Sequence, residues 1–202
     1  MSALNFGVTI KVVIAELKNS LARRPVIRII DENRTPAAVL VPIFIKNGQY
    51  FILFIQRTDK VRHHKNQISF PGGVYKKEDD NLQNTALREA EEEIGLARGE
   101  VRILGELDDI ATVSTKYVIS PFVGLIPCPY QFKVDYFETE EIIEIPIKAL
   151  LEKECVKANT AQTTGQEPDA CSYHYEERII WGVTARILKQ FLEIISELVK
   201  KT

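Results

Sequence analysis

The sequence predicts an α/β fold in which a mixed sheet carries helices on its faces, and three observations lead there. Two apolar, β-branched and aromatic runs, 37–46 and 50–57, are joined by Asn47-Gly48-Gln49, a strong hairpin signal. A glycine pair, Gly72 and Gly73, leads into an acid-dense segment that stops at Gly95, as a helix C-terminus prefers. The chain closes on a run from Gly182 to Lys201 in which Val183, Ile187, Leu188, Phe191, Ile194, Ile195 and Leu198 recur at helical intervals.

Ahead of the hairpin, residues 7–22 have mixed periodicity and end before Pro25, which predicts an N-terminal helix packed outside the core. A third strand over 67–70 delivers the two glycines to their turn. Residues 101–113 and 117–127 read as further strands, with Gly105 marking a bulge. Glu138 to Glu144 forms a second acidic patch, followed by a short helix over 146–152 with proline in its first turn. Residues 155–180 predict a hairpin around 163–169, and no internal repeat or low-complexity tract appears.

Composition bounds the function. A chain of 202 residues with 45% hydrophobic content can bury one substantial core, so a single domain over 1–202 is expected. The net charge of −2 gives no general field for nucleic acid or membrane, so any phosphate affinity must be local. Cys128, Cys155 and Cys171 are odd in number and form no CxxC pair. That argues against a zinc site or disulfide framework and predicts core or surface thiols in a reducing compartment. No segment approaches the length of a membrane span and no signal-like apolar region opens the chain, so a cytoplasmic location is expected.

The acid-dense helix carries the chemistry. Asp80 or Asn81 serves as N-cap, and Leu82, Ala86, Leu87, Ala90 and Ile94 make one apolar stripe. At about 100° per residue, Glu89 and Glu93 fall one above the other, Glu92 lies beside them and Glu91 points to the opposite side. In the last turn the helix dipole disfavours each acid by about 0.3–1 kcal/mol, and same-face acids repel by about 0.2–0.5 kcal/mol per pair. A bound cation would reverse both penalties. An isolated run of three glutamates would be no more than a solvated face; the surrounding residues decide against that.

Gly73, an acid at Asp79 or Asp80, and Arg88-Glu89-Ala90-Glu91-Glu92-Glu93-Ile94-Gly95-Leu96 together resemble the Nudix box: glycine, five residues, an acid, seven residues, then Arg-Glu-apolar-any-Glu-Glu-any-Gly-apolar. Asp79 has the right distance from Gly73 and Asp80 the right distance to Arg88. Upstream, Arg57, Arg62, His64, Gln67 and Phe70-Pro71-Gly72-Gly73 are similar to the extra signature of coenzyme A pyrophosphatases within the Nudix group, with Val61 and Asn66 standing where that signature has leucine and glycine. Asn tolerates a left-handed backbone, so a tight turn is preserved. The segment 180–188 is similar to the opening of the last helix in the same subgroup.

The resemblance implies a Nudix α/β/α sandwich with a mixed central sheet and a metal-binding loop-helix-loop. It also implies Mg²⁺ or Mn²⁺ held by Glu89, Glu92 and Glu93, hard oxygen donors suited to either ion. Arg88 would orient the acids, and Glu92 would be a further ligand or the general base. Glu138, Glu140 and Glu141 are alternative bases. Arg57, Arg62, His64, Gln67, Gly72 and Gly73 would contact a small-molecule substrate, coenzyme A or a related nucleoside diphosphate derivative. ADP-ribose, dinucleotides or oxidised nucleoside triphosphates are alternatives, as is a non-catalytic nucleotide sensor. A homodimer is compatible with the sequence. Trp181 reads as a packed residue at the start of the last helix, and His174 as a strand residue.

Overall fold

The structure, a computed structural model, describes residues 3–59, 66–112, 115–152, 156–157 and 171–200. Helix α1 (Ala3–Arg23) precedes the hairpin of β1 (Thr35–Lys46) and β2 (Gln49–Arg57), whose two central turn residues, Asn47 and Gly48, have φ of 50° and 75°. That positive pair gives the turn the twist of the strands it joins. Strands β3 (Ile68–Ser69) and β4 (Gly72–Val74) lead through a single tight turn, Lys77–Asp79, to helix α2 (Leu82–Ile94). Then come β5 (Arg102–Glu106), β6 (Ile110–Ala111), β7 (Tyr117–Leu125), β8 (Thr139–Pro146), helix α3 (Ile147–Leu151), β9 (Val156–Lys157), β10 (Cys171–Tyr175), β11 (Arg178–Ile180) and helix α4 (Gly182–Lys200).

The main sheet runs β3-β2-β1-β7-β5, with β4 added to β1, β6 to β7 and β8 to β2; only the β1–β7 pairing is parallel. A smaller sheet, β11-β10-β9, is antiparallel. Alternation along the strands sorts the core into two layers. Leu40, Leu53 and Ile55 face Ala86, Ala90 and Ile94 of α2, while Val41, Ile43, Ile52 and Phe54 face α1, α3 and α4. Helices thus cover both faces of a mixed sheet, as predicted.

The structure refines several of the sequence expectations. The run 101–113 is two strands, β5 and β6, with residues 107–109 between them, and the register shift between Ile103 and Gly105 is the expected bulge. Pro146 sits at the N-cap of α3, one residue before its first turn. The N-terminal helix does not lie outside the core: Ile14, Leu17 and Leu21 are buried in it, because a helix covering that sheet face is the partner its apolar residues need. Cys171 is disulfide-bonded whereas Cys128 is free and exposed, which corrects the expectation of unpaired thiols throughout. Pairing depends on distance in the fold, which sequence spacing did not reveal. Residues 163–169 lie outside the described residues. Among those described, no helix is long and apolar enough to cross a membrane.

Candidate active site

Strand β4 exists to bring a backbone to the acids. Gly72 and Gly73 pair with Val39 and Ala38 of β1, and a Cβ on Gly72 would fall 2.4 Å from Ala38 O. A Cβ on Gly73 would fall 2.5 Å from the Glu89 carboxylate carbon. Only glycine allows the turn to press against both the sheet and the helix.

Asn81 caps α2 by accepting from Asn84 N–H at 2.9 Å, and Gly95 ends it at φ 66°. Between them, Ala86 and Ala90 are fully buried on the sheet, and their small side chains let the helix axis approach. Burying Ile94 beside them is worth about 1.5–3 kcal/mol. This docking fixes the rotation of the helix. Glu93 is turned inward and is only 2% exposed, Glu89 is largely buried, Glu92 is half-exposed, and Glu91 faces away to pair with Arg98 at 2.8 Å.

Glu93 accepts from Gly72 N–H at 3.0 Å and from Arg57 Nη1 at 3.2 Å. Burial nevertheless pushes its carboxyl up to about 8; Arg57 and the Gly72 amide pull it down, and Glu89 and Glu138 push it further up. Burial also raises Glu89, against the opposing pull of Arg88. Two inward acids with incomplete cationic compensation make a site that favours added positive charge.

The choice between Asp79 and Asp80 is resolved by burial. Asp79 is 3% exposed and accepts from Arg88 Nε at 2.6 Å and Nη2 at 3.0 Å, from Thr85 Oγ1 at 2.8 Å and from Lys76 N–H at 2.9 Å. The Arg88 guanidinium holds the Asp79 carboxyl well below the usual carboxylate range. Asp80 is the extra residue, taken up at φ 61° in an exposed turn, so the spacing defect never reaches the helix. Arg88 also donates through Nη1 to Glu89 and to Glu92 at 3.0 Å, and through Nη2 to Val74 O at 3.1 Å.

Of the residues singled out in the sequence, Arg57, Gly72, Gly73, Arg88, Glu89, Glu92 and Glu93 are brought together. Gln67 accepts from Arg57 N–H through its carbonyl at 3.0 Å, which puts its backbone at the edge of the group. Arg62 and His64 lie outside the described residues. Among the described residues no three His, Cys, Asp or Glu side chains converge closely enough to enclose an ion as they stand; the Arg88 guanidinium occupies the space between Glu89 and Glu92. The donor set itself, carboxylate oxygens beside a glycine turn, fits a hard divalent cation.

In the turn at 135–139, sequence reasoning gave a role to Glu138 alone. Asp135 N–H donates to Glu93 O at 3.0 Å, and Thr58 N–H donates to Glu138 O at 3.0 Å, so this turn closes over the end of α2. Glu138 thereby comes near enough to act on Glu93. Of these, the sequence marked only Glu138, and only as one acid among three.

The sandwich, the glycine turn and the inward acids define a pyrophosphohydrolase. The NUDIX domain model matches residues 34–154, and the chain belongs to the Nudix family. It is 35% identical over 166 residues, 82% of this chain and 87% of the relative, to a protein of Photorhabdus laumondii named "Uncharacterized Nudix hydrolase NudL". A protein of Yersinia pestis with the same name is 34% identical over 160 residues, 79% of each chain. Among solved structures, a MutT/nudix family protein from Enterococcus faecalis superposes with a TM-score of 0.55 at 15% identity, covering 90% of this chain and 74% of that one. The MutT protein from Methanosarcina mazei Go1 gives 0.53 at 16% identity, covering 84% and 98%. These two likenesses speak for the fold. Nudix enzymes generally use divalent metals such as Mg²⁺ or Mn²⁺.

Proposed function

We propose that this Nudix hydrolase cleaves the diphosphate linkage of coenzyme A or its derivatives, giving 3′,5′-ADP and 4′-phosphopantetheine or its acyl form. The observation that supports the reading is the run from Arg57 to Gly73: it resembles the coenzyme A signature, with Val61 and Asn66 as its two departures, and Arg57 and Gly72 both bond to Glu93. Coenzyme A bears a 3′-phosphate besides its diphosphate, so a cation-rich approach to the site suits it.

Glu89, Glu92 and Glu93 would hold the divalent ion. When bound, Mg²⁺ or Mn²⁺ supplies neutralisation of the diphosphate oxygens and a more acidic water. The chain's own residues do the rest. Arg88, anchored on Asp79, fixes the direction in which Glu89 and Glu92 point. The Gly72 amide and Arg57 hold Glu93. Glu92 or Glu138 takes the proton from the attacking water; Glu138 comes from outside the helix and is free of the Arg88 bonds that tie Glu92.

The test is incubation with coenzyme A and each metal, with mass spectrometry of the products. Release of 3′,5′-ADP is the expected result. A clear preference for ADP-ribose, dinucleotides or oxidised nucleoside triphosphates would move the specificity elsewhere in the family, and binding without any metal-dependent turnover would make the protein a sensor.

A further inference from the structure

At the C-terminal end of β2, Ile55 and Gln56 pair with both β3 and β8, so these two strands flank β2 on its two edges. Ser69 of β3 lies opposite Ile55, and Thr139 of β8 lies opposite Arg57. Residues paired directly across antiparallel strands share a face, with Cβ atoms about 4.5–5.5 Å apart. Ile55 belongs to the layer under α2, with Ala86, Ala90 and Ile94, and Arg57, two residues on, bonds to Glu93 of the same helix. Ser69 and Thr139 therefore stand in the α2 layer, on either side of the segment that holds Glu93.

Among the described residues, Ser69 Oγ and Thr139 Oγ1 are the buried side-chain oxygens without a hydrogen-bond partner. Thr58, Thr85, Thr112 and Ser120 are buried as Thr139 is, and each of their hydroxyls donates to a protein oxygen at 2.6–3.3 Å. An unmatched buried hydroxyl lowers stability, whereas a valine in the shape of Thr139 carries no such penalty. Both exceptions fall where Glu93 is held. Glu93 in turn has acceptor capacity to spare: Oε1 takes Arg57 and Oε2 takes the Gly72 amide, while a carboxylate can accept about four bonds.

We propose that Ser69 and Thr139 are positioning residues for Glu93. Each hydroxyl donates to an ordered water, and that water donates in turn to the Glu93 carboxylate, with an Arg57 N–H as a third partner on the Thr139 side. A buried water needs such a set of polar groups, and these meet the requirement from three strands and a helix. The shell fixes the direction in which the carboxylate points, and with it the geometry that an ion would meet. This inference rests on reading Glu93 as a ligand of the divalent ion.

The test uses Thr139→Val and Ser69→Ala, which remove a hydroxyl with little change of shape, and Thr139→Ser, which restores one. Calorimetric titration of the full chain with Mn²⁺ alone should show the first two variants binding about 10–100-fold more weakly than the unaltered protein, with Thr139→Ser close to it, as expected when a partner of a metal ligand is lost. Denaturant midpoints of all three should stay near that of the unaltered protein. Crystal density of the metal-free protein should show a water on each hydroxyl. Unchanged Mn²⁺ affinity in Thr139→Val and Ser69→Ala, an affinity loss that follows a lowered midpoint and is not restored by Thr139→Ser, or hydroxyls without water would each overturn the proposal. Because the titration needs no substrate, weakened Mn²⁺ binding in the variants of a protein that leaves coenzyme A intact sinks the proposed reaction alone. Hydrolysis of coenzyme A with Mn²⁺ affinity unmoved in the variants sinks the positioning role alone.

Discussion

Arg88 clasps Asp79 through two nitrogens, Nε at 2.6 Å and Nη2 at 3.0 Å, with both residues buried, while its third nitrogen holds Glu89 and Glu92. One guanidinium therefore links the start of the loop to the acids. Removing one partner of a buried pair strands the other, at about 3–5 kcal/mol. Asp79→Ala should lower stability by that order and depress turnover as Arg88 loses its anchor. Asp80→Gly should be neutral or stabilise by up to about 1 kcal/mol, because it relieves the φ of 61°. Denaturant unfolding of both variants checks this; a larger loss from Asp80→Gly would reverse the assignment.

The two glycines should fail in different ways. In Gly72→Ala the new methyl meets backbone, Ala38 O at 2.4 Å, so β4 must leave β1 and the melting temperature should drop by several degrees. In Gly73→Ala it meets the end of a side chain, the Glu89 carboxylate. That side chain can swing, so stability should change little while kcat falls about tenfold or more, the effect of a misplaced Glu89 carboxylate. Melting curves and steady-state kinetics on the pair separate the two.

Glu93 gives a pH signature. Its folded carboxyl sits at about 8, above the unfolded value near 4.5, chiefly through burial. Between those values the folded state binds more protons than the unfolded, so stability contributed by this group falls as pH rises through that window. Metal-free protein should thus lose stability from pH 5 to pH 8, and Glu93→Gln should flatten the decline. The same variant should lose about two orders of magnitude or more in kcat, each ~1.4 kcal/mol costing tenfold. Near-normal turnover by Glu93→Gln would refute the site.

The general base can be sought among three acids outside the helix. Glu141 is held by Arg178 at 3.0 and 3.3 Å, away from α2, so Glu141→Gln should change kcat less than twofold. Glu138→Gln should lower kcat about 10²–10⁴-fold and abolish the acid limb of the pH–rate profile, with the metal concentration for half-maximal rate unchanged. If Glu92→Gln instead removes that limb, the proton acceptor lies on the helix.

The order of residues alone determined the strands, the capped acid helix and its inward stripe, because 2.0 and 3.6 periodicity, Asn47-Gly48 and Gly95 are local signals. It also marked Glu89, Glu92, Glu93, Arg57 and both glycines, through their resemblance to the Nudix box and to the signature upstream of it. What tertiary packing decided was whatever joins distant segments. Asp79 rather than Asp80 faces Arg88 because only one side of a short turn is covered by α2. The N-terminal helix is core because a sheet face needed covering. The 135–139 turn reaches Glu93 across 42 residues of chain, by hydrogen bonds to Thr58 and to the end of α2. Cys171 finds a disulfide partner that its spacing did not announce. Periodicity records which face of an element is buried; only the fold selects what it is buried against, and hence which acids share a field.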